Sequence, residues 1–388
     1  MDVDEHDRTF KPSTEVSAIS HLNAPHTHSF FVLQVPNQLV EERWTELHFT
    51  WASKSYKIEV PDSDRLYDLK TAIYSLTKVP TERQKILGFV KGKLPPDQVR
   101  ISELPILPTK KFTVIGTPEG DEIKDPSQLE SLPDVINDLD VDFTENMVAS
   151  NRYQHDARNI RKVHEAIKNL SVNIIHPLRK GKKLLVLDID YTILDTKPLT
   201  SGSLPPAECA RPGLHEFLEA IYPYYDICIW SQTSWIWLET KLVELGMIGA
   251  QRNYEVQLKF ASCLSVFDRS VHPSLVLDKT CMFTVFTERD NKPWTHSVKA
   301  LQIIWSHFPQ FNATSTIHVD DLSRNFALNP KEGLKISAFK NAHTPEAWAD
   351  RELYKLARYM IHIANVDDFT TLSHKNWKSI VKHLPGSS

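Results

Sequence analysis

Acidic and hydroxyl side chains follow three apolar stretches of the chain that look like short buried strands. Asp188 and Asp190 end "LLVLDID", Ser231 follows "DICIW", and Asp320 and Asp321 end "STIHVDD". Amphipathic helical patterns lie between these stretches, which predicts a parallel sheet whose carboxyl strand ends meet at one edge. Carboxylate oxygens in an incomplete protein shell suit Mg²⁺, which keeps water and takes further oxygens from a phosphate. The pattern therefore predicts a Mg²⁺ site that receives a phosphate group.

The first strand end also has a simpler explanation. A D-x-D-x-T match, made here by Asp188, Asp190 and Thr192, is weak alone, because Asp also ends strands where a turn begins. An EF-hand loop is excluded, since Ile193 stands where that loop needs Gly. The combination of the three strand ends favours a functional site over turn chemistry.

Length and composition predict a soluble protein with more than one domain. The chain has 388 residues, 41% hydrophobic and 24% charged, and a formal net charge of −4, which argues against direct nucleic-acid binding. Cys209, Cys228, Cys263 and Cys281 form no C-x-x-C pair, which indicates a reducing intracellular compartment. No apolar run reaches transmembrane length and the polar N-terminus is not a signal peptide, so no membrane association is expected.

The first part of the chain divides into an extension and a small α+β unit. Residues 1–42 are polar and predict an extension that is mostly disordered. In residues 43–117, two alternating strands flank a turn at Ala52–Ser53, and a helix capped by Ser63 or Asp64 follows before further strands. The helix has apolar residues at helical spacing at Leu66, Leu69, Ile73 and Leu76.

The remaining chain predicts a linker and a larger domain. Residues 118–150 are acidic and lack apolar periodicity, which indicates a linker. Residues 151–181 are predicted to form a helical connector. Residues 182–388 alternate strands and helices, which predicts an α/β fold with a parallel sheet and flanking helices. The amphipathic stretch "DRELYKLARYMIHIANVDDF" predicts a C-terminal helix packed on that core.

The small unit resembles the ubiquitin-like β-grasp. Its order of hairpin, helix and strands is similar, and "VPTERQKILGFVKGKLPPDQVRISELPILPTKKFTVIG" matches the second half of ubiquitin in order and spacing. The chain continues past Gly116, so the resemblance indicates an embedded domain and not a conjugated modifier.

A docking patch is predicted on the sheet of this domain. The resemblance to ubiquitin implies Leu87 at its centre, Ile115 alongside, and Lys85 and Lys91 at its edge. Ile86 and Leu87 are adjacent in a strand and must face opposite sides, so a core position for Ile86 leaves Leu87 outward. An apolar residue with a polar rim is typical of a docking surface.

The larger domain resembles the haloacid dehalogenase phosphatases. "LDIDYT" is similar to their motif I, D-x-D-x-T, and "RPGLHEFL", "WSQT" and "VDDLSRNFALNP" resemble the branch that dephosphorylates the C-terminal domain (CTD) of RNA polymerase. The resemblance extends over residues 43–385 and includes the ubiquitin-like domain in front. It implies a haloacid-dehalogenase-like parallel sheet preceded by a β-grasp domain.

The resemblance implies a covalent mechanism with two acids. Two residues apart in an extended segment, Asp188 and Asp190 project to the same side. Asp188 would be the nucleophile, and Asp190 would protonate the leaving oxygen and then activate water. Mg²⁺ would be held by Asp188, the carbonyl of Asp190, Asp320 and Asp321.

Further residues are expected around the phosphate. Thr192, Ser231 and Arg211 are predicted to contact substrate, although Arg211 is equally well explained as a helix cap, and Asn325 lies at the rim. The family pattern puts the catalytic lysine at Lys292 in "DNKPW". Motif III is short and degenerate, so two other lysines, Lys279 and Lys299, remain rivals.

The expected substrate is a phosphoprotein. About 35 residues separate motif I from Ser231, too few for a lid domain over small metabolites. The resemblance implies a nuclear serine/threonine phosphatase that docks on the 26S proteasome regulatory particle and dephosphorylates it, with RNA polymerase II CTD phosphoserine also accepted. One alternative is a small-molecule phosphatase, but such an enzyme would be expected to carry a lid domain, and none is visible. The other is a non-catalytic proteasome adaptor, in which the nucleophile or the acid pair would usually be substituted, whereas both are in place here.

Overall fold

The computed structural model describes ten stretches of the chain. They are residues 42–118, 151, 153–174, 178–233, 235–248, 252–254, 258–262, 276–277, 279–289 and 292–385. The predicted N-terminal extension and acidic linker lie outside these stretches except at residues 42 and 118. Within the stretches described, no helix is both long and apolar enough to cross a bilayer.

The first described stretch forms a four-stranded sheet packed against one helix. Its elements are β1 (Trp44–Trp51), β2 (Lys54–Pro61), α1 (Leu66–Thr77), β3 (Lys85–Leu87) and β4 (Lys111–Ile115). The strand order is β2-β1-β4-β3, in which β1 and β4 are parallel and the other neighbours antiparallel. This is the β-grasp arrangement predicted from the sequence.

Local sequence explains the hairpin and most of the helix. Ala52 and Ser53 have φ of 47° and 63°, so a two-residue turn joins Trp51 and Lys54 as paired partners. The four residues at helical spacing all lie in α1, as predicted. Leu66, Leu69 and Ile73 are fully buried, whereas Leu76 is 47% exposed near the end of the helix.

The start of α1 differs from the prediction. Its N-cap is Arg65, not Ser63 or Asp64, and the backbone N–H of Arg65 donates to the carboxylate of Asp68 at 2.9 Å. This bond is the half of a capping box in which an acid at the third helical position accepts from the N-cap N–H, and it fixes the helix start one residue after Asp64. The carboxylate of Asp64 is thereby left for another contact.

The larger part of the structure contains a parallel five-stranded sheet. Its strands are β6 (Lys183–Leu187), β7 (Tyr225–Trp230), β9 (Val276–Leu277), β12 (Thr316–Asp320) and β13 (Gly333–Lys335), in the order β13-β12-β6-β7-β9. All neighbours are parallel. Nearly every residue of β6, β7 and β12 is buried, as expected for strands covered on both faces.

Helices and two antiparallel ribbons surround that sheet. The helices are α2 (Ala157–Asn169), α3 (Thr196–Thr200), α4 (Pro206–Cys209), α5 (Leu214–Ile221), α6 (Trp235–Glu244), α7 (Leu301–His307), α8 (Pro345–Trp348), α9 (Glu352–Ile363) and α10 (Trp377–His383). The ribbons pair β5 (Leu170–Ile174) with β8 (Leu258–Ser262), and β10 (Phe283–Arg289) with β11 (Lys292–Val298). The predicted C-terminal helix is confirmed as α9, which buries Leu353, Leu356, Met360 and Ile363.

Candidate active site

The predicted strand ends do lie side by side. β6 lies between β7 and β12, so the residues that follow these strands share one edge of the sheet. Carboxylate oxygens of Asp188, Asp320 and Asp321 lie within 4.8 Å of one another. The hydroxyl of Ser231 donates to the carboxylate of Asp190 at 2.8 Å. The parallel sheet therefore brings together the acids that the sequence placed at three separate positions.

Asp188 is held through both of its oxygens. Thr192 Oγ1 donates to Asp188 Oδ2 at 2.8 Å, and Lys299 Nζ donates to Asp188 Oδ1 at 2.5 Å and to Asp320 Oδ2 at 2.7 Å. Burial and the charge of Asp320 raise the pKa of Asp188 well above its ordinary value, and Lys299 opposes this rise. Thr192, predicted to contact substrate, thus orients the predicted nucleophile.

The lysine at the carboxylates is Lys299 and not Lys292. Lys292 begins β11 opposite Arg289, at the far end of the β10–β11 hairpin from the sheet edge. Lys299 follows β11 directly and is fully buried between the acids, whereas the other rival, Lys279, is exposed. The structure thus brings the rival Lys299 to the carboxylates, because the residues between the two lysines run along β11.

Asp190 has a partner that sequence reasoning missed. Nζ of Lys241 forms an ion pair with Asp190 Oδ1, while Ser231 bonds the other oxygen. Lys241 lies on the face of α6 that buries Leu238 and Leu242. A single lysine on the apolar face of an amphipathic helix is the signal that would have identified it, because a buried ammonium needs an acidic partner.

The two acids at the end of β12, Asp320 and Asp321, have different environments. Burial would raise the pKa of Asp320, but Lys299 and His318 outweigh it and hold that pKa below its ordinary value. Burial and the charge of Asp320 raise the pKa of Asp321 to about 7. The amide of Asn325 donates to Asp320 at 2.7 Å, so the residue predicted at the rim supports a carboxylate.

The donor set fits a divalent cation. The site contains four buried carboxylates, those of Asp188, Asp190, Asp320 and Asp321. They face two buried ammonium groups, those of Lys241 and Lys299. The two ammonium groups can compensate at most two of these carboxylates. Burial and the neighbouring carboxylate Asp320 raise the pKa values of Asp188 and Asp321, so a divalent cation bound to their oxygens would compensate negative charge that the lysines leave unpaired. Hard carboxylate oxygens are the ligands that Mg²⁺ prefers. Asp188, Asp320 and Asp321 are the side chains that would hold such an ion.

Comparisons with known proteins agree with this geometry. The family model described as NLI interacting factor-like phosphatase matches residues 183–270 and 249–370. Ubiquitin-like domain-containing CTD phosphatase 1 of Danio rerio is 38% identical over 334 residues, which cover 84% of this chain and 95% of the relative. The Homo sapiens protein of the same name is 36% identical over 342 residues, covering 87% and 97%. The chain belongs to the ubiquitin-like domain-containing CTD phosphatase family.

Membership of the ubiquitin-like domain-containing CTD phosphatases makes the chain a protein phosphatase, and the alternative of a non-catalytic adaptor is set aside. The solved structure "The Structure of Fcp1, an essential RNA polymerase II CTD phosphatase" overlaps 54% of this chain and 66% of its own, at 13% identity and a TM-score of 0.29. That overlap is too low to bear on the fold. The predicted α/β fold with a preceding β-grasp domain is confirmed by the sheets described above.

Arg211 has a structural role in this CTD phosphatase family member. Its Nη1 donates to the carbonyls of Thr192 at 2.9 Å and Ser337 at 2.8 Å. Its Nε and Nη2 donate to the carboxylate of Asp350 at 3.2 and 2.9 Å. The guanidinium is buried and these four bonds are not to helix ends, so the alternative of a helix cap is wrong, while the predicted substrate contact stays a prediction. Arg211 instead fixes the loop that carries Asp188 and Asp190.

The residues predicted to form the docking patch lie at the surface of the ubiquitin-like domain. Leu87 is 46% and Ile115 50% exposed, and Lys85 pairs directly with Ile115 across β3 and β4. Ile86 is buried, as the alternation of a strand requires. The exposed apolar pair with lysine beside it is therefore available to a partner, and its docking role stays a prediction.

Proposed function

We propose that the chain is a Mg²⁺-dependent protein serine/threonine phosphatase that acts through an aspartyl-phosphate on Asp188. The position of Lys299 between Asp188 and Asp320 carries this proposal. A cation bonded to the nucleophile neutralises charge where a phosphoryl group must approach a carboxylate. Asp190 lies next to the nucleophile in the chain, with its own oxygens held by Ser231 and Lys241.

In the first step, a carboxylate oxygen of Asp188 attacks phosphorus. A bond forms between that oxygen and phosphorus, and the bond from phosphorus to the serine or threonine oxygen breaks. Asp190, which begins the cycle protonated and regains its proton from water in the second step, donates that proton to the departing oxygen. Thr192 and Lys299 orient Asp188 for this attack, since each fixes one carboxylate oxygen. Bound Mg²⁺ would supply further positive charge against the phosphoryl oxygens.

In the second step, water attacks the phosphorus of the aspartyl-phosphate. Asp190, now ionised, accepts a proton from that water, and the bond between phosphorus and Asp188 breaks to release inorganic phosphate. Asp190 thus serves as acid and then as base. Its bonds to Ser231 and Lys241 would hold the carboxylate of Asp190 in the same orientation through both steps.

Removal of the metal is expected to lower hydrolysis of p-nitrophenyl phosphate by about a hundredfold or more, because the buried carboxylates would then face the phosphoryl oxygens without the positive charge of the ion. The measurement compares initial rates in EDTA, after re-addition of Mg²⁺, and with beryllofluoride, which mimics the phosphoryl group on an aspartate. Activity that is unchanged in EDTA would contradict the proposal.

We further propose that the ubiquitin-like domain recruits the enzyme to the 26S proteasome regulatory particle. Phosphoserine or phosphothreonine on that particle would be the substrate. A second substrate would be the CTD that the relatives' names give, here taken as that of RNA polymerase II, which implies a nuclear location. The exposed Leu87–Ile115 patch supports docking. The short segment between motif I and Ser231 supports access for a protein substrate.

Leu87→Glu is expected to abolish co-purification with the proteasome and to leave hydrolysis of p-nitrophenyl phosphate unchanged. A charge at the centre of an apolar patch opposes desolvation, and a hot-spot residue of this kind typically contributes about 2 kcal/mol or more to binding. Lys85→Glu should act in the same direction. Leu76→Glu is the matched control, because Leu76 is 47% exposed on the helix of the same domain. Wild-type pull-down by Leu87→Glu would refute the patch.

A further inference from the structure

Helix α2 contacts the ubiquitin-like domain through its charged side. Nη1 of Arg161 lies 2.7 Å from each carboxylate oxygen of Glu42, just ahead of β1, and Nη2 forms an ion pair with Asp64. The guanidinium also lies 5.5 Å from the ring of Trp44 in β1. Asp64, which does not cap α1, therefore binds the connector between the two domains.

A second cluster of charges on the same side of α2 is more deeply buried. Nζ of Lys162 forms an ion pair with Asp68 of α1, and Nη1 of Arg158 lies 3.4 Å from the other oxygen of that carboxylate. Asp68 and Arg158 are 6% and 2% exposed. Lys162 and Arg158 outweigh the effect of burial and hold the pKa of Asp68 below its ordinary value. Breaking this cluster would leave a buried charge without compensation.

The other side of α2 belongs to the catalytic domain. Val163 is part of the main hydrophobic core, and Ala166 and Ile167 pack against it. Just ahead of the helix, the amide of Gln154 donates to the carbonyl of Leu328 at 2.7 Å. The helix is therefore fixed to the catalytic core while its charged side binds the ubiquitin-like domain.

The ubiquitin-like domain also covers one residue of the β10–β11 hairpin. The ring of Phe286 in β10 lies 4.3 Å from the guanidinium of Arg65 and 4.9 Å from that of Arg158. Tyr67 of α1 meets the same ring edge-on, with the centroids 5.5 Å apart. Phe286 is only 7% exposed as a result. A phenylalanine of the catalytic domain is thus buried by residues at the start of α1.

Lys162 connects this interface directly to the hairpin backbone. Its ammonium binds Asp68 and also donates to the carbonyl of Thr284 at 3.2 Å. Thr284 pairs with Ser297 of β11, two residues before Lys299. The lysine of the active site is therefore attached to a strand whose neighbour is held by the ubiquitin-like domain.

We propose that the docked ubiquitin-like domain holds the β10–β11 hairpin in place and thereby positions Lys299 between Asp188 and Asp320. This inference rests on the proposed function, because it takes Lys299 to serve the phosphoryl transfer. Asp68, Lys162 and Phe286 are positioning residues, since they contact the hairpin or its support and not the reacting atoms. Full activity would then require the small domain even for a substrate that makes no contact with it.

The test is Lys162→Glu in the full chain, which places a second negative charge beside Asp68 and repels the Thr284 carbonyl. We expect kcat for p-nitrophenyl phosphate to fall about tenfold or more, because small displacements of a catalytic group are costly. Amide hydrogen exchange in residues 292–298 should rise, while exchange in β6 stays at the wild-type level. Lys168→Glu is the matched control, because Lys168 is exposed on the same helix.

Asp68→Asn provides a second variant if Lys162→Glu does not fold. It keeps the side-chain shape and an oxygen for the backbone of Arg65, and should change kcat and exchange in the same directions with smaller effect. Wild-type kcat together with raised exchange would overturn the positioning role, and unchanged exchange in β11 would overturn the docked interface. Failure of the proposed function would appear differently, as an inactive wild-type protein or as full activity after replacement of Lys299.

Discussion

Asp188→Asn is expected to abolish turnover, with kcat lower by roughly 10³-fold or more, while the fold stays intact. The amide keeps the size of the carboxylate. Its oxygen can accept from Lys299 while its NH2 donates to the hydroxyl of Thr192, but it is a poor nucleophile. The measurement is single-turnover and steady-state hydrolysis of p-nitrophenyl phosphate, with thermal unfolding recorded for the same samples. Substantial residual turnover in a folded variant would contradict the covalent route.

Asp190→Asn is the informative companion to that variant. It removes the proton donor and leaves the nucleophile, so departure of the serine or threonine oxygen and attack by water should both slow. Some phospho-enzyme should accumulate, detectable as an acid-stable mass increase of one phosphoryl group on the intact protein. Asp188→Asn should show no such species, which separates the roles of the two acids.

Lys299→Met is expected to lower kcat by about 10²-fold to 10³-fold, the usual loss when one preorganised charge at a reacting oxygen is removed. Without the ammonium, Asp188 and Asp320 would face each other in a buried site, so the free energy of unfolding should also fall, by about 3 kcal/mol. Steady-state kinetics and urea unfolding measure the two effects. Methionine keeps most of the side-chain volume and limits packing loss.

Lys292→Met is the matched control for that variant and tests the sequence-based prediction directly. Lys292 begins β11 at the end of the hairpin remote from Lys299, so its replacement should leave kcat and stability near the wild-type values. A loss of activity confined to Lys292→Met would reverse the assignment of the two lysines. Equal losses in both variants would show that the hairpin as a whole, and not one ammonium, is required.

The fold and the acids of the site could be predicted because their signals are local. Alternating strands, an amphipathic helix and apolar runs ending in polar residues gave the order of elements in both domains. Asp188, Ser231 and Asp320 are far apart in the chain, but each follows a buried strand, and parallel strands place their carboxyl ends at one edge. No knowledge of side-chain contacts was needed for that step.

The partners of those acids could not be predicted in the same way. Lys292 begins β11 and Lys299 directly follows its end, so the two lysines are separated by the length of that strand. Only the pairing of β10 with β11 shows which of them lies at the sheet edge. Arg211 binds Thr192, Ser337 and Asp350, contacts that depend on packing between distant segments. Lys241 could be recognised in the sequence as a lysine on the apolar face of a helix. Its bond to Asp190, however, depends on where α6 packs.

The contacts between α2 and the ubiquitin-like domain affect which phosphates the enzyme would reach. A freely tethered catalytic domain samples many sites around its anchor, at an effective concentration set by the length and stiffness of the tether. Here Arg161 and Lys162 fix the direction of the catalytic domain relative to the surface that carries Leu87 and Ile115. In an enzyme arranged in this way, the distance and direction from the docking site to a phosphate would decide whether that phosphate reaches the active site. The enzyme would therefore select phosphates by their location more than by the residues that flank them.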